Sequence, residues 1–466
     1  MFDDVIGMMI NWMIQFYIKT FGFLLKLFWK GICYIWKTLR SAAGNKEKDS
    51  EKVSKEYATN KLEGVFFGKK KGKYITKKEA EDGHVLVVGG AGSGKSSCIA
   101  IPTLWAWQNP VFAIDIKGEL SRKGNRTNVK IFNPMDATSY GYDPFHSLQS
   151  QENRVPDARS IALAIAPESA GTKEPFWIQA VQNLLTGAIL FFSGYSMTFI
   201  ETMQKIQELP IKDLITLIWE GEDDAAKKFI TQFVNAESKT LSGIAMELSN
   251  KIMLFATDPI IESALSRQET VTPDDLENGF DVFIVIPEDK LEQWKSLLTL
   301  ICSQFLKHFE RRDETKENAP VLFMLDEFPR LGKIEPVSTG LTTLRSKKIH
   351  VCLVAQSLAQ LDVIYGKDQR KVIVGNCSYR AVLQATDVDT QEYFAKAYGT
   401  YDKEKESKNI NYDTIGIGKG TSKGTTTEEK HKIKLEEFAH LQDIVLFTPK
   451  GSMRVDKAPY YEEKLP

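Results

Sequence analysis

The residues able to do chemistry fall in two short stretches. In HVLVVGGAGSGKSS, the residues Gly89, Gly90, Ala91, Gly92, Ser93, Gly94, Lys95, Ser96 and Ser97 follow the β-rich run Val85–Val88. The spacing Gly89-x-x-x-x-Gly94-Lys95-Ser96, behind a strand and ahead of a helix, is that of a phosphate-binding loop. Its glycines let backbone N–H groups converge on phosphate oxygens. Lys95 is expected to neutralise the β/γ charge, and the Ser96 hydroxyl can ligate Mg2+. No helix breaker intervenes before Pro102, so the strand–loop–helix context is complete.

The second stretch is VLFMLDEF, where the apolar run Val321–Leu325 ends in Asp326 and Glu327. A buried parallel strand delivers its last residues to the ligand crevice of an α/β sheet, where a phosphate loop also sits. Asp326 is expected in the Mg2+ shell, and Glu327 as the base that polarises the attacking water. Gln356 directly follows the run His350–Ala355 and is placed to sense the γ-phosphate or water; a capping residue explains it equally well alone. Arg345, in TLRSKK ahead of that run, could reach a neighbouring subunit's nucleotide and stabilise transition-state charge. Its alternative is a surface basic patch with Lys347 and Lys348. Asp115, Lys117 and Asn376 flank further strand-like runs and could face nucleotide or substrate.

These residues need a sheet to bring them together. Val111–Ile116, Val129–Phe132, Asp281–Ile286 and Tyr379–Gln384 complete a set of strand-length apolar runs, which predicts an α/β fold. Between Ser150 and about Asn278 strand signals stop and 3.6-residue periodicity takes over, in Phe176–Phe192, Ile211–Glu220, Asp224–Val234 and Ser242–Phe255. The organisation expected is a nucleotide-binding domain in two parts, 61–150 and 280–466, split by an inserted all-α domain at 151–279. Within the second part, 403–431 is rich in Gly, Ser, Thr and Lys and reads as a mobile loop, followed by a short ordered end at Leu435–Pro459.

Composition narrows the class. With 466 residues, 42% apolar and 26% charged, the chain is not wholly disordered, collagen-like or a polytopic membrane protein. Its net charge of −1 hides an asymmetry: residues 1–82 carry +6 and the rest −7. Five scattered cysteines, Cys33, Cys98, Cys302, Cys352 and Cys377, offer neither a disulfide framework nor zinc-ligand spacing. Cys302 and Cys352 lie in apolar runs and are expected as small core residues of a reduced, cytoplasmic main body.

The first forty residues are the most apolar. The uncharged run Val5–Ile18 is 14 residues, short of the roughly 20 needed to cross a bilayer. Beyond it Lys19, Lys26, Lys30 and Lys37 fall within about 40° of one another on a helical wheel. An amphipathic or membrane helix over 1–40 follows, either lying in the headgroup plane or spanning at a tilt over Val5–Leu25. A cleaved signal peptide is disfavoured by the acidic start, Asp3 and Asp4. Residues 41–60 read as a polar linker, and Lys69–Lys78 as a basic cluster touching phosphate or as a turn between two short strands.

Together these motifs resemble the type IV secretion coupling proteins, the TraG/TraD-like conjugation ATPases. The resemblance runs from Gly68 to Tyr461. It rests on GGAGSGKSSCIAIPTL, VFAIDIKGEL, the segments at Phe132 and Tyr142, PFW at Pro175, KTLSGI at Lys239, LDEFPRLGKI, AQSLAQLDVIYG and NCSYRAVLQATD. It implies a RecA-like P-loop domain, ATP and Mg2+ as cofactors, and a homo-hexamer at the cytoplasmic membrane with its main body in the cytoplasm. Its partners would be single-stranded DNA with a relaxase, or a protein effector, and the components of the secretion channel. By motif match, Lys95 and Ser96 become nucleotide and metal ligands, Asp326 and Glu327 the metal and water-activating acids, Gln356 the sensor, and Arg345 the trans-acting arginine. The resemblance also associates the all-α insert with substrate recognition. The front is shorter than in relatives with two spans and an external loop, and a compact system of Gram-positive type is expected. Three classes remain open: an energy-coupling translocase, a nucleotide-gated docking receptor, and a chromosome-segregation pump, whose winged-helix reader is not evident.

Overall fold

Fourteen strands can be followed among the described residues. In order they are β1 (Ala58–Thr59), β2 (Val65–Lys70), β3 (Lys73–Lys77), β4 (Val85–Val88), β5 (Val111–Asp115), β6 (Val129–Phe132), β7 (Asp281–Val285), β8 (Val321–Leu325), β9 (Ile349–Ala355), β10 (Tyr379–Val382), β11 (Thr400–Tyr412), β12 (Gly418–His431), β13 (Asp443–Thr448) and β14 (Gly451–Asp456). The computed structural model describes residues 52–168, 174–412 and 418–462. The lysine-striped segment at 1–40 and most of the linker expected at 41–60 lie outside the described residues.

Twelve strands form one sheet in the order β1-β3-β2-β14-β13-β10-β4-β9-β8-β5-β7-β6. From β10 to β6 all neighbours are parallel. A parallel sheet is covered on both faces, so its strands read as continuous apolar runs; β4, β5, β8 and β9 are buried along their whole length. From β10 outward the pairing turns antiparallel, through β13, β14, β2 and β3. Aromatic packing pins the faces: the Phe112 ring lies 4.6 Å from Phe305 and 5.0 Å from Phe323, each such buried ring contributing on the order of 2–3 kcal/mol.

Between β6 and β7 the regular elements described are helices. Pro175–Gly194 packs against Arg154–Ile165, Asp224–Ile230 and Ser238–Thr257. It is long and apolar enough to cross a membrane, yet Leu184, Leu185, Ala188 and Ile189 are fully buried here. Local signals start these helices: Thr198 and Glu201 form a capping box for Phe199–Glu208, and Asp258 caps Pro259–Leu265 with proline in the first turn. The apolar core is continuous from these helices to the sheet.

One expectation needs revision. Residues 403–431 do not form an open loop: β11 and β12 pair antiparallel from Thr400↔His431 to Tyr412↔Gly418. The Thr-rich stretch Thr425–Thr427 favours extended backbone, which outweighs the Gly and Ser content. Leu435–Pro459, expected as a short ordered end, carries β13 and β14, with β13 beside β10 and one strand away from β4. The four described cysteines, Cys98, Cys302, Cys352 and Cys377, are free and buried, which for Cys302 and Cys352 is the core position their apolar runs suggested.

Candidate nucleotide-binding site

The loop after β4 leaves the sheet between β9 and β10. Gly89 N–H donates to the Ala355 carbonyl at 3.1 Å, and Leu383 N–H to the Val88 carbonyl at 2.8 Å. The loop then curls so that Ser93 N–H reaches the Gly90 carbonyl at 3.2 Å. Gly92 and Gly94 turn with φ of +72° and +99°, conformations that L side chains avoid. From Gly94 the chain winds a widened helical turn, Lys95–Ala100, in which Ile101 N–H reaches back to the Ser96 carbonyl, and continues as the α-helix Ile101–Ala106.

Lys95 is buried and donates to its own loop's carbonyls, Gly89 at 2.8 Å and Gly90 at 3.3 Å. The Ser93 hydroxyl is buried without a hydrogen-bond partner. A cationic side chain curled back on its loop, an orphan hydroxyl and N–H groups opening a helix fit a phosphate chain.

The acids arrive on β8. Because β9 lies between β4 and β8, the residue that follows β9 stands between the loop and the acids. Gln356 is that residue, and its Nε2 donates to Glu327 Oε2 at 3.0 Å. Glu327 Oε1 is 3.9 Å from Lys95 Nζ. Glu327 itself adopts φ 47°, ψ 40°, a left-handed conformation costing a non-glycine residue about 1–2 kcal/mol. Its N–H donates to Asp326 Oδ1 at 3.1 Å. Burial, and secondly the neighbouring Glu327, push the Asp326 carboxyl up to about 6. The Ser96 hydroxyl and Asp326 carboxylate are hard oxygen donors, the chemistry that suits Mg2+.

Other expected residues lie elsewhere. The Asp115 carboxylate does not face a nucleotide: it accepts from the N–H groups of Glu119, Leu120 and Ser121 and from the Ser121 hydroxyl, capping the next helix. Lys117 is at the crest of the sheet, 3.3 Å from Glu288, with Arg330 3.4 Å from the same carboxylate. Arg345 and Asn376 are at the opposite edge. Arg345 sits in Leu341–Ser346 ahead of β9, exposed and 3.8 Å from Asp82. Asn376 precedes β10 and accepts from the Thr342 hydroxyl at 3.1 Å. Within one chain neither is brought to the site.

Residues 37–465 match the family described as Type IV secretory system Conjugative DNA transfer. The chain belongs to this conjugative DNA transfer family. Relatives include the protein VirD4 of Rhizobium rhizogenes, 25% identical over 87% of this chain and 63% of the relative. The conjugal transfer protein TraG of Agrobacterium fabrum is 24% identical over 81% and 60%. This chain thus spans less than two thirds of their length. Among solved structures, the bacterial conjugative coupling protein TrwB in unbound form superposes with a TM-score of 0.68 at 18% identity, covering 89% of this chain and 92% of TrwB. TrwB in complex with the ATP analogue ADPNP gives 0.68 at 18% identity, covering 89% and 94%, and in complex with ADP and Mg2+ 0.67 at 18%, covering 88% and 91%. At that identity the likeness establishes the fold, the RecA-like α/β architecture with its large parallel sheet.

In this member of the conjugative DNA transfer family, some residues around the site carry no sequence signal. Gln384 rests against Gly90, where a β-carbon would meet its Oε1 at 3.1 Å, and Gln384 Nε2 is anchored on the Ala439 carbonyl at 2.9 Å. Tyr365 and Thr299 hold the segment that follows Glu327. Each reads in sequence as an ordinary amphipathic position.

Proposed function

We propose that this chain is the coupling ATPase of a conjugative type IV secretion system, which recruits relaxase-bound single-stranded DNA, or a protein effector, and drives it to the secretion channel by hydrolysing ATP. The observation carrying this reading is the convergence of Lys95, Glu327 and Gln356 at one edge of the sheet, with contacts of 3.0 and 3.9 Å about Glu327. Family membership and the nucleotide complexes of TrwB support it.

Bound ATP with Mg2+ supplies the phosphoanhydride bond and neutralises its charge. The backbone of Gly89–Ser97 binds the phosphates, and Lys95 leaves the Gly89 and Gly90 carbonyls to pair with phosphate oxygens. Ser96 and Asp326 would hold the metal. Glu327, released from Lys95, accepts the proton of the attacking water while Gln356 keeps its carboxylate oriented. Arg345 would act in the site of a neighbouring subunit of a homo-hexamer. Residues 61–150 and 280–466 form the motor on this reading and 151–279 the recognition domain. Residues 41–60 link them to a membrane segment at 1–40, the main body lying in the cytoplasm.

The test is ATP turnover by the full chain in lipid nanodiscs, with and without single-stranded DNA. DNA-stimulated turnover is expected, falling by at least about a hundredfold in Lys95→Ala and in Glu327→Gln, the latter still binding ATP. Full turnover by Glu327→Gln would overturn the assigned chemistry. The −7 charge of the chain beyond residue 82 disfavours general DNA binding and motivates a second reading, a nucleotide-gated docking receptor. Cargo capture that survives Lys95→Ala, without stimulated turnover, would select it.

A further inference from the structure

Helix Leu358–Asn376 begins two residues after Gln356, and Ser357 caps it by accepting from Gln360 N–H. The Gln360 side chain in turn accepts from Gln356 N–H at 3.3 Å, so Gln356 is fastened to the first turn of this helix. One further turn along, Tyr365 is buried at 3% exposure. Its hydroxyl accepts from Ile334 N–H at 3.1 Å and donates to the Gly332 carbonyl at 3.4 Å. Its ring stacks on Phe328, the residue after Glu327, with centroids 5.5 Å apart. The helix breaks immediately afterwards, at Gly366, with φ 77° and ψ 160°, a conformation open to glycine. Residues 358–365 are therefore a short rigid piece, tied at one end to Gln356 and at the other to the segment 328–334.

We propose that Tyr365 is a positioning residue that makes Gln356 and Glu327 move as one unit. The circuit is closed: Glu327 leads through 328–334 to Tyr365, then along the helix to Gln356, and back to Glu327 through the 3.0 Å hydrogen bond. Without the hydroxyl, the left-handed Glu327 and the sensor stay attached to separate strands, and the 3.0 Å hydrogen bond between them loses the backing of the Tyr365 ties to Ile334 and Gly332. The Asp362–Arg370 pair, 3.0 Å across the break, braces the outer half of the helix, so motion at Gly366 is not simply free swinging. The idea deepens the ATPase reading and rests on it only for its kinetic arm.

The experiment uses the full chain and Tyr365→Phe, which keeps the ring on Phe328 and removes the hydroxyl. Turnover is expected to fall about tenfold with nucleotide Kd changed less than about twofold, since misplacement of a catalytic group acts on rate. In a Gln356→Ala background the same change should cost less than about twofold, because the two act through one contact. Equal losses in both backgrounds would overturn the proposal. The second arm reads hydrogen exchange with and without ADPNP. In the wild-type chain, protection at 358–365 and 328–334 should change together; in Tyr365→Phe the response should stay at 358–365. A response that still spreads to 328–334 in the variant would overturn the coupling. A wild-type chain that hydrolyses nothing would count against the ATPase reading alone, and the exchange arm would still decide the role of Tyr365.

Discussion

Glu327 concentrates the tension between stability and chemistry in one residue. Its left-handed backbone aims the carboxylate at both Lys95 and Gln356, and an L side chain carries a steric cost in that conformation. A paired comparison separates the backbone from the carboxylate. Glu327→Ala and Glu327→Gly both abolish the assigned chemistry, but glycine adopts φ 47° freely. We expect the glycine variant to be about 0.5–1 kcal/mol more stable than the alanine variant in urea unfolding, the reverse of the usual order inside helices and strands. An alanine variant equal or superior in stability would show that the conformation costs nothing. Burial first, and the Glu327 charge second, raise the Asp326 carboxyl to about 6, so either a cation or a proton is favoured there.

At the scale of elements, the site depends on strand order. Placing β9 between β4 and β8 sets Gln356 between loop and acids, and the order cannot be read from the apolar runs themselves. The runs were legible because burial on both faces leaves a continuous hydrophobic stretch: Val85–Val88 and Val321–Leu325 match their strands end to end, and the half-buried edge strand Val129–Phe132 does so too. The antiparallel half was less legible, since β2, β3, β13 and β14 mix charged residues with apolar ones. Lys95, Glu327 and Gln356 carried spacing or strand-end signals, whereas Tyr365 works through a hydroxyl that no periodicity reveals. Strand position is also enforced by polar ties. Asp281 opens β7 and accepts from Val111 N–H at 2.8 Å, while Arg126 donates to it from Nε at 2.7 Å and Nη2 at 2.8 Å. Both side chains are largely buried. Asp281→Ala leaves the guanidinium without its acid, and a loss of about 3–5 kcal/mol is expected in denaturant unfolding. A loss below about 1 kcal/mol would mean that the Arg126 bonds to backbone carbonyls suffice.

Across the whole molecule, the parallel sheet has two edges with opposite tasks. The carboxyl edge gathers Lys95, Asp326, Glu327 and Gln356, whereas the amino edge holds a buried cluster of its own. Lys77, His84 and His350 meet there, out of water. Lys77 Nζ is 3.0 Å from His350 Nδ1, Val351 N–H donates to His84 Nδ1 at 3.1 Å, and His84 Nε2 donates to the Leu341 carbonyl at 2.6 Å. Burial lowers His84 to about 4, and burial together with the Lys77 charge lowers His350 to about 3. Lys77 falls to about 8, also by burial, so it stays charged throughout the acid range and contributes no slope there. The sign for the histidines follows from linkage. Below about 6.5 the unfolded chain takes up protons that the folded chain refuses, so protonation favours unfolding. Their contribution is intact above about 6.5 and is lost as pH falls towards the folded values, by about 1.4 kcal/mol per pH unit for each histidine. Urea unfolding at pH 7 and at pH 5 should show this loss in the wild-type chain. His84→Asn can still accept from Val351 N–H and does not titrate, so it should reduce the pH-dependent loss by about one proton's worth. An unchanged pH dependence in that variant would place the acid sensitivity among the carboxylates and leave the amino edge a passive tie.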